Sequence, residues 1–286
     1  MERISSAREF QSVCDSLRIQ GKTIGLVPTM GALHDGHKQL MTLAKQQCDV
    51  AAVSIFVNAL QFDNPVDLEK YPRTIEADLE FAKDLGVDVV FTPKSQEMHP
   101  EPILFHLEVD RLSQALEGAF RPGHFAGVVT VVAKLFILAG RCRAYFGEKD
   151  FQQLAIISRM VEEMHFPVEI VPVPIVRDER GLALSSRNMR LTPDQLVSAL
   201  ALSRSLFSGR DAVAAGEKNP EKVEELMSEE LSREISGIAK SDLARLDYAL
   251  VVDPSTLTRP ERIEGPVRLL IAARVGAVRL IDNIGA

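Results

Sequence analysis

Short, almost wholly apolar runs alternate with longer amphipathic ones through the first 175 or so residues. TIGLVPT (23–29), DVAAVSIFVN (49–58), VDVVFTP (87–93), RAYF (143–146) and VEIVPVPIV (168–176) read as strands without a polar face. Between them, His34 to Gln47, residues 75–85 and Asp150 to Met164 have helical periodicity. GVVTVVAKLFIL (127–138) is rich in β-branched residues. Even so, Val128, Val131, Val132, Leu135 and Phe136 recur at i, i+3, i+4, i+7 and i+8, so the spacing predicts a helix. Apolar strands separated by helices mean βαβ units, and hence a parallel sheet covered on both faces.

The pattern changes after RDERGLALSSRN (177–188). Residues 193–245 read as mostly helical, with a polar connection at AAGEKNPEK, and the tail holds the strand-like runs LDYALVVD and VRLLIAARVGAVRLIDNI. The expected fold class is therefore α/β: a Rossmann-like parallel sheet domain over 1–177, followed by a smaller C-terminal α+β domain over 178–286.

Charge narrows the partners. A formal charge of −7 over 286 residues disfavours a general nucleic-acid or anionic-membrane surface, though local basic clusters can still hold a phosphate. Charged residues break every apolar stretch before the roughly 18 residues a membrane span needs. Three scattered cysteines, Cys14, Cys48 and Cys142, form no CxxC pair, and MERISSAREFQSV has no apolar leader core. Together these features lead us to expect a cytoplasmic protein with reduced thiols.

The chemistry concentrates in VPTMGALHDGH (27–37), which places two of the six histidines three residues apart directly after a strand. A strand, a turn containing Gly31, and a helix carrying His34 and His37 together make the geometry of a nucleotide site. Ligands bind at the carboxyl edge of such a sheet, and a helix start offers unpaired N–H groups and partial positive charge to phosphate. Two histidines at i and i+3 share one helix face. Gly36 between them lets a base or ribose approach closely. Two other readings stay open: a zinc site, which lacks a third ligand, and histidines that merely pack.

The HxGH tetrad after a strand resembles the signature of nucleotidyltransferases and class I aminoacyl-tRNA synthetases. The longer string PTMGALHDGH resembles the pantoate–β-alanine ligase (pantothenate synthetase) family. SIFVNALQF, YPRT, RPGHFAGVVTVVAKLF with YFGEKDFQQL, and GLALSSRN follow in the order the resemblance expects, spanning residues 27–190. It implies ATP as a substrate, with Met30, Gly31, Ala32, Leu33, His34, Asp35, Gly36 and His37 around the nucleotide. Gly147, Glu148, Lys149 and Asp150 join them, as do Val176 through its backbone and Leu184. Gln61 and Gln153 would hold pantoate and β-alanine. Ser185, Ser186 and Arg187 resemble a mobile phosphate-clamping loop covering the ATP phosphates.

The roles follow from the residue types. His34, His37, Lys149, Ser185, Ser186 and Arg187 supply donors to developing phosphate charge. Gln61 offers both a donor and an acceptor to a small hydroxy acid. Ala59 stands where the family usually has proline, and Phe151 where it often has tyrosine. Tyr71, Asp78, Arg121 and His124 are weaker candidates, for a pocket wall, a structural loop or magnesium placement. No residue is assigned as a metal ligand, because Mg²⁺ usually rides on nucleotide phosphates.

The resemblance implies an ATP-dependent, AMP-forming ligase acting through an acyl adenylate, as a homodimer. A different HxGH nucleotidyltransferase, a class I aminoacyl-tRNA synthetase and a non-catalytic nucleotide-binding module remain the alternatives.

Overall fold

A computed structural model describes residues 1–236 and 245–286 of the chain. The elements run β1 (Glu2–Ile4), α1 (Ala7–Ile19), β2 (Ile24–Thr29), α2 (Asp35–Gln47), β3 (Val50–Ile55), α3 (Pro65–Glu69), α4 (Ile75–Asp84) and β4 (Val89–Phe91). Next come α5 (Ser95–Met98), α6 (Glu117–Phe120), α7 (His124–Ala139), β5 (Cys142–Gly147), α8 (Phe151–Glu163) and β6 (Val168–Val173). The chain finishes with α9 (Pro193–Ala214), α10 (Pro220–Ser236), β7 (Arg245–Val252), β8 (Arg268–Val275) and β9 (Val278–Gly285).

Two compact units divide these elements: residues 1–148 with 152–174, and Lys149–Phe151 with 175–286. The first is built on a parallel sheet of order β1-β4-β3-β2-β5-β6. One face packs on Phe10, Phe91, Val128, Val132, Phe136 and Ile157, and the other on Leu40, Met41, Val53, Leu79 and Val90. Burial on both faces is what removes the polar alternation from the inner strands β2 to β5. The parallel sheet with a separate C-terminal sheet is the α/β class read from the sequence. Strand β1 and helix α1 are additions, the first because a three-residue edge strand is too short to carry a period.

The β-branched run at 127–138 is helical and extends back to His124. Val128, Val131, Val132, Leu135 and Phe136 are all buried along it. Three-residue spacing outweighs β propensity here because the helix has a sheet to pack against.

Strand order reverses between β2 and β5, which makes their carboxyl ends the topological switch point. Their pairing covers only Gly25↔Arg143 and Leu26↔Ala144, although β2 continues to Thr29 and β5 to Gly147. The two strands thus part before they end. Pro28 can sit in a central strand because it lies beyond that pairing, where no ladder hydrogen bond is required of it.

The second unit carries an antiparallel sheet, β7-β8-β9, packed under α9 and α10. The helical expectation for 193–245 holds for α9 and α10. Its stretch 237–244 lies outside the described residues, and Arg245 opens β7 instead.

Candidate active site

The turn leaving β2 is held by a carboxylate from the same unit. Thr29 Oγ1 donates to Ser54 O at 2.7 Å and accepts from Gly31 N at 3.2 Å. Gly31 and Ala32 both take positive φ, 81° and 50°. That conformation costs a non-glycine residue energy unless its surroundings fix it. Here Asp78 of α4 fixes it, accepting from Ala32 N at 3.0 Å, Leu33 N at 2.8 Å and Thr74 Oγ1 at 3.2 Å. A side chain at residue 31 would put its Cβ 2.8 Å from Asp78 Oδ2, so glycine is needed for space as well as for φ.

Asp78 is 3% exposed. Its two oxygens accept from three donors, which makes it a brace for this turn. The Ala32 and Leu33 amides are likewise engaged, and a phosphate would meet this stretch through other groups.

His34 does not sit inside the helix. Helix α2 begins at Asp35, and His34 is its N-cap. His34 Nδ1 accepts from Gly36 N at 3.1 Å, and His37 Nδ1 accepts from His34 N at 3.2 Å. This reciprocal cap satisfies two helix-start donors and fixes both rings. A ring nitrogen that accepts carries no proton, so each imidazole bears its hydrogen on Nε2. The two rings lie 4.1 Å apart between centroids. Gly36 also gains a local reason: a Cβ there would come within 2.8 Å of His34 Cε1, so the glycine makes room for the capping imidazole itself.

At the end of β5, Gly147 has open space where a side chain would stand. Glu148–Asp150 forms a 3-10 turn before α8. Lys149 Nζ lies 3.6 Å from Asp150 Oδ1, and Asn283 Nδ2 donates to Lys149 O at 2.8 Å. The neighbouring glutamines separate cleanly. Buried Gln152 accepts from Glu117 N and donates to Leu112 O and Ala115 O, which makes it a loop clamp. Gln153 is half-exposed and makes no side-chain hydrogen bond among the described residues.

Gln61 sits on a 3-10 turn, Ala59–Gln61, which forms with Ala59 in place of the usual proline. Asn58 Nδ2 donates to Gln61 Oε1 and Gly127 O, both at 3.0 Å. His124 Nδ1 donates to Gln61 O at 2.7 Å, and Arg121 reaches both His124 Nε2 and Gln61 O. Gly127 lets α7 press against this turn, since a Cβ there would lie 2.3 Å from Leu60 O. Arg121 and His124 are therefore braces of the Gln61 turn. Tyr71 packs edge-on against Phe62 at 5.5 Å.

In the second unit, Leu184 N donates to Val176 O at 2.9 Å, leaving the Val176 N–H as its backbone donor. Ser185 caps a 3-10 turn, Ser186–Arg190, by accepting from Arg187 N. Its root is held by an ion pair for which the sequence offers no local signal. Arg177 Nη1 and Nη2 meet Asp282 Oδ2 and Oδ1 at 2.6 and 2.9 Å and also bind Gly181 O and Asn283 O. Burial pushes the Asp282 carboxyl up, against the pull of Arg177. Strand β9 carries both Asp282 and Asn283 and packs against the Ser186–Arg190 turn.

Within the first unit, then, the sheet brings the His34/His37 cap and the Gly147–Glu148 end of β5 to adjacent strand termini. Lys149 and the Ser185–Arg187 segment belong to the second unit. No group of three or more His, Cys, Asp or Glu side chains suited to a metal occurs among the described residues. None of their helices is long and apolar enough to cross a membrane.

A doubly wound parallel sheet with an HxGH cap at its switch point defines an HxGH-type nucleotide-binding α/β protein. Comparison with known proteins narrows this class. The Pantoate-beta-alanine ligase family model matches residues 2–285. The pantothenate synthetase of Moorella thermoacetica is 46% identical over 284 residues, covering 99% of this chain and 98% of that protein. That of Aquifex aeolicus is 45% identical over 278 residues, covering 96% and 95%. The crystal structure of pantothenate synthetase from Thermus thermophilus superposes with a TM-score of 0.90 at 39% identity, covering 99% of both chains. The Francisella tularensis ligase, solved in complex with beta-gamma ATP and β-alanine, gives 0.80 at 34%, covering 99% of this chain and 97% of that one. The chain belongs to the pantoate–β-alanine ligase family and is an enzyme of that activity.

Proposed function

We propose that the chain condenses (R)-pantoate with β-alanine in two steps. The pantoate carboxylate attacks the α-phosphorus of ATP, forming pantoyl adenylate and releasing diphosphate. The β-alanine amine then attacks the acyl carbon, loses a proton and expels AMP, leaving pantothenate. The observation that carries this reading is the reciprocal cap, which holds His34 and His37 as Nε2–H donors at the switch point.

Step one brings an anion to a polyanion, so its main demand is preorganised positive charge and N–H groups. In this reading His34 and His37 meet the phosphates at the helix start. Lys149 and the Ser185, Ser186 and Arg187 segment close over them, and Met30, Gly31, Gly147 and Val176 border the nucleotide. Gln61 and Gln153 hold pantoate, and Gln153, with no side-chain hydrogen bond among the described residues, is the glutamine of its pair available to do so. No covalent enzyme intermediate is required.

Among the described residues no three His, Cys, Asp or Glu side chains cluster as a metal cage, and Asp78 braces the turn. We therefore place the ion on the nucleotide phosphates and route no step through a protein-bound metal. A homodimer accords with the exposed apolar Leu104 and Phe105, and a reducing cytoplasm accords with three buried free thiols.

Separate assays of the two products test the reading. Diphosphate release should require pantoate and ATP alone, and AMP release should then require β-alanine. Diphosphate release that proceeds equally without pantoate would contradict it.

A further inference from the structure

Behind Gln61 lies a buried polar chain that none of the roles above requires. Asn58 is 1% exposed and His99 is 4% exposed. His99 Nε2 lies 2.8 Å from Asn58 Oδ1, and Lys134 Nζ lies 3.4 Å from His99 Nδ1 while also donating to Met98 O.

Chemistry orients every member. Gly127 O is a carbonyl and can only accept, so the nitrogen end of the Asn58 amide must face it. The second hydrogen of that nitrogen points at Gln61, so the Gln61 atom it meets is Oε1. Asn58 Oδ1 is left facing His99, which must therefore carry its proton on Nε2. His99 Nδ1 then accepts, and the Lys134 ammonium stands there to donate. Burial first, and Lys134 second, hold the His99 pKa down to about 4, which keeps the ring neutral. Donation thus runs one way, from Lys134 through His99 and Asn58 to Gln61 Oε1. It leaves Gln61 Nε2 as the end of the amide with no partner among the described residues.

We propose that this one-way chain sets which end of the Gln61 amide faces the substrate, with His99 and Lys134 as positioning residues that make Gln61 a hydrogen-bond donor. The oxygen it selects is one with lone pairs to give, a carboxylate or hydroxyl oxygen of the hydroxy acid. A site committed to donation discriminates against analogues lacking that oxygen. The inference rests on the reading that Gln61 binds pantoate.

Steady-state kinetics on the full chain test it with three variants. Gln61→Ala should raise the KM for pantoate and leave that for ATP within about twofold. His99→Phe removes the donor to Asn58 and should raise the pantoate KM about five- to tenfold, the worth of one hydrogen bond. His99→Gln places an amide N–H where Nε2 stood and should restore it to within about twofold of wild type. His99→Phe should add nothing in the Gln61→Ala background, since the two act as one unit.

An unchanged pantoate KM in Gln61→Ala would remove the reading of the site itself, and the proposal with it. A raised KM there beside an unchanged one in His99→Phe would remove the positioning chain alone. Should His99→Phe fail to fold, long-range proton–nitrogen spectra of histidine-labelled wild-type protein decide. The account requires His99 protonated on Nε2 and His124 on Nδ1, and a His99 ring protonated on Nδ1 overturns it.

Discussion

The HxGH turn and the SSRN segment have the same proposed role, as hydrogen-bond donors for phosphate, yet the chain holds them in opposite ways. At the HxGH turn the groups are fixed before any ligand arrives: by the His34–His37 reciprocal cap, three residues apart, and by buried Asp78, 45–46 residues further on, under Leu33 and Ala32. The SSRN segment is anchored at its root by Arg177 on buried Asp282, whereas Ser185, Ser186 and Arg187 stand half-exposed on a 3-10 turn. A short 3-10 turn has poorer hydrogen-bond geometry than an α-helix start. In the proposed reading, the first arrangement serves groups in place before substrate arrives, and the second serves groups that close afterward.

Removing the root of the second arrangement should have the largest effect. Arg177→Met leaves the Asp282 carboxylate buried without its partner, and thermal or denaturant unfolding should show a loss of about 3–5 kcal/mol. A loss below about 1 kcal/mol would mean the ion pair does not anchor the segment.

His37→Ala breaks the first arrangement. It should lower turnover by about 10²–10³-fold, measured as pantoate-dependent diphosphate release. Near-wild-type release would show that these donors are dispensable.

Asp78→Asn sharpens the comparison by touching no proposed ligand. An amide cannot accept through both ends, so one of the Ala32 and Leu33 amides loses its acceptor. Stability should fall by about 1–3 kcal/mol, and turnover should fall with the altered turn. Full activity in a folded variant would detach the brace from the chemistry.

The last expected effect concerns acid. The His99 pKa is lowered from 6.5 to about 4, so between those values the unfolded chain binds the proton and the folded one does not. Stability from this group is present above about pH 6.5 and is lost as pH falls towards 4. His99→Gln should therefore show a shallower fall in unfolding midpoint between pH 7 and pH 4.5 than wild type. Parallel curves would contradict the neutral buried ring.

Local pattern carries the sheet. Strands such as Val50–Ile55 are buried at every position, and such runs are legible without any partner in view. The HxGH turn is equally visible because its histidines, glycines and preceding strand are contiguous. What stays hidden depends on residues far apart in sequence. Nothing near Asp78 says that it will brace Ala32 and Leu33, and nothing near Arg177 points to Asp282, 105 residues away. Gln152 and Gln153 are chemically identical, and only the position of the 112–117 loop separates a clamp from an available amide. Gly36 reads in the sequence as room for a ligand, but the folded-back His34 ring already requires it.

The most direct test is a crystal structure with a non-hydrolysable ATP analogue and pantoate. The account expects the Nε2 atoms of His34 and His37, the Lys149 ammonium and the Arg187 guanidinium all within about 3.2 Å of phosphate oxygens. Phosphates bound away from the two imidazoles, or imidazoles rotated so that Nδ1 faces the ligand, would contradict it.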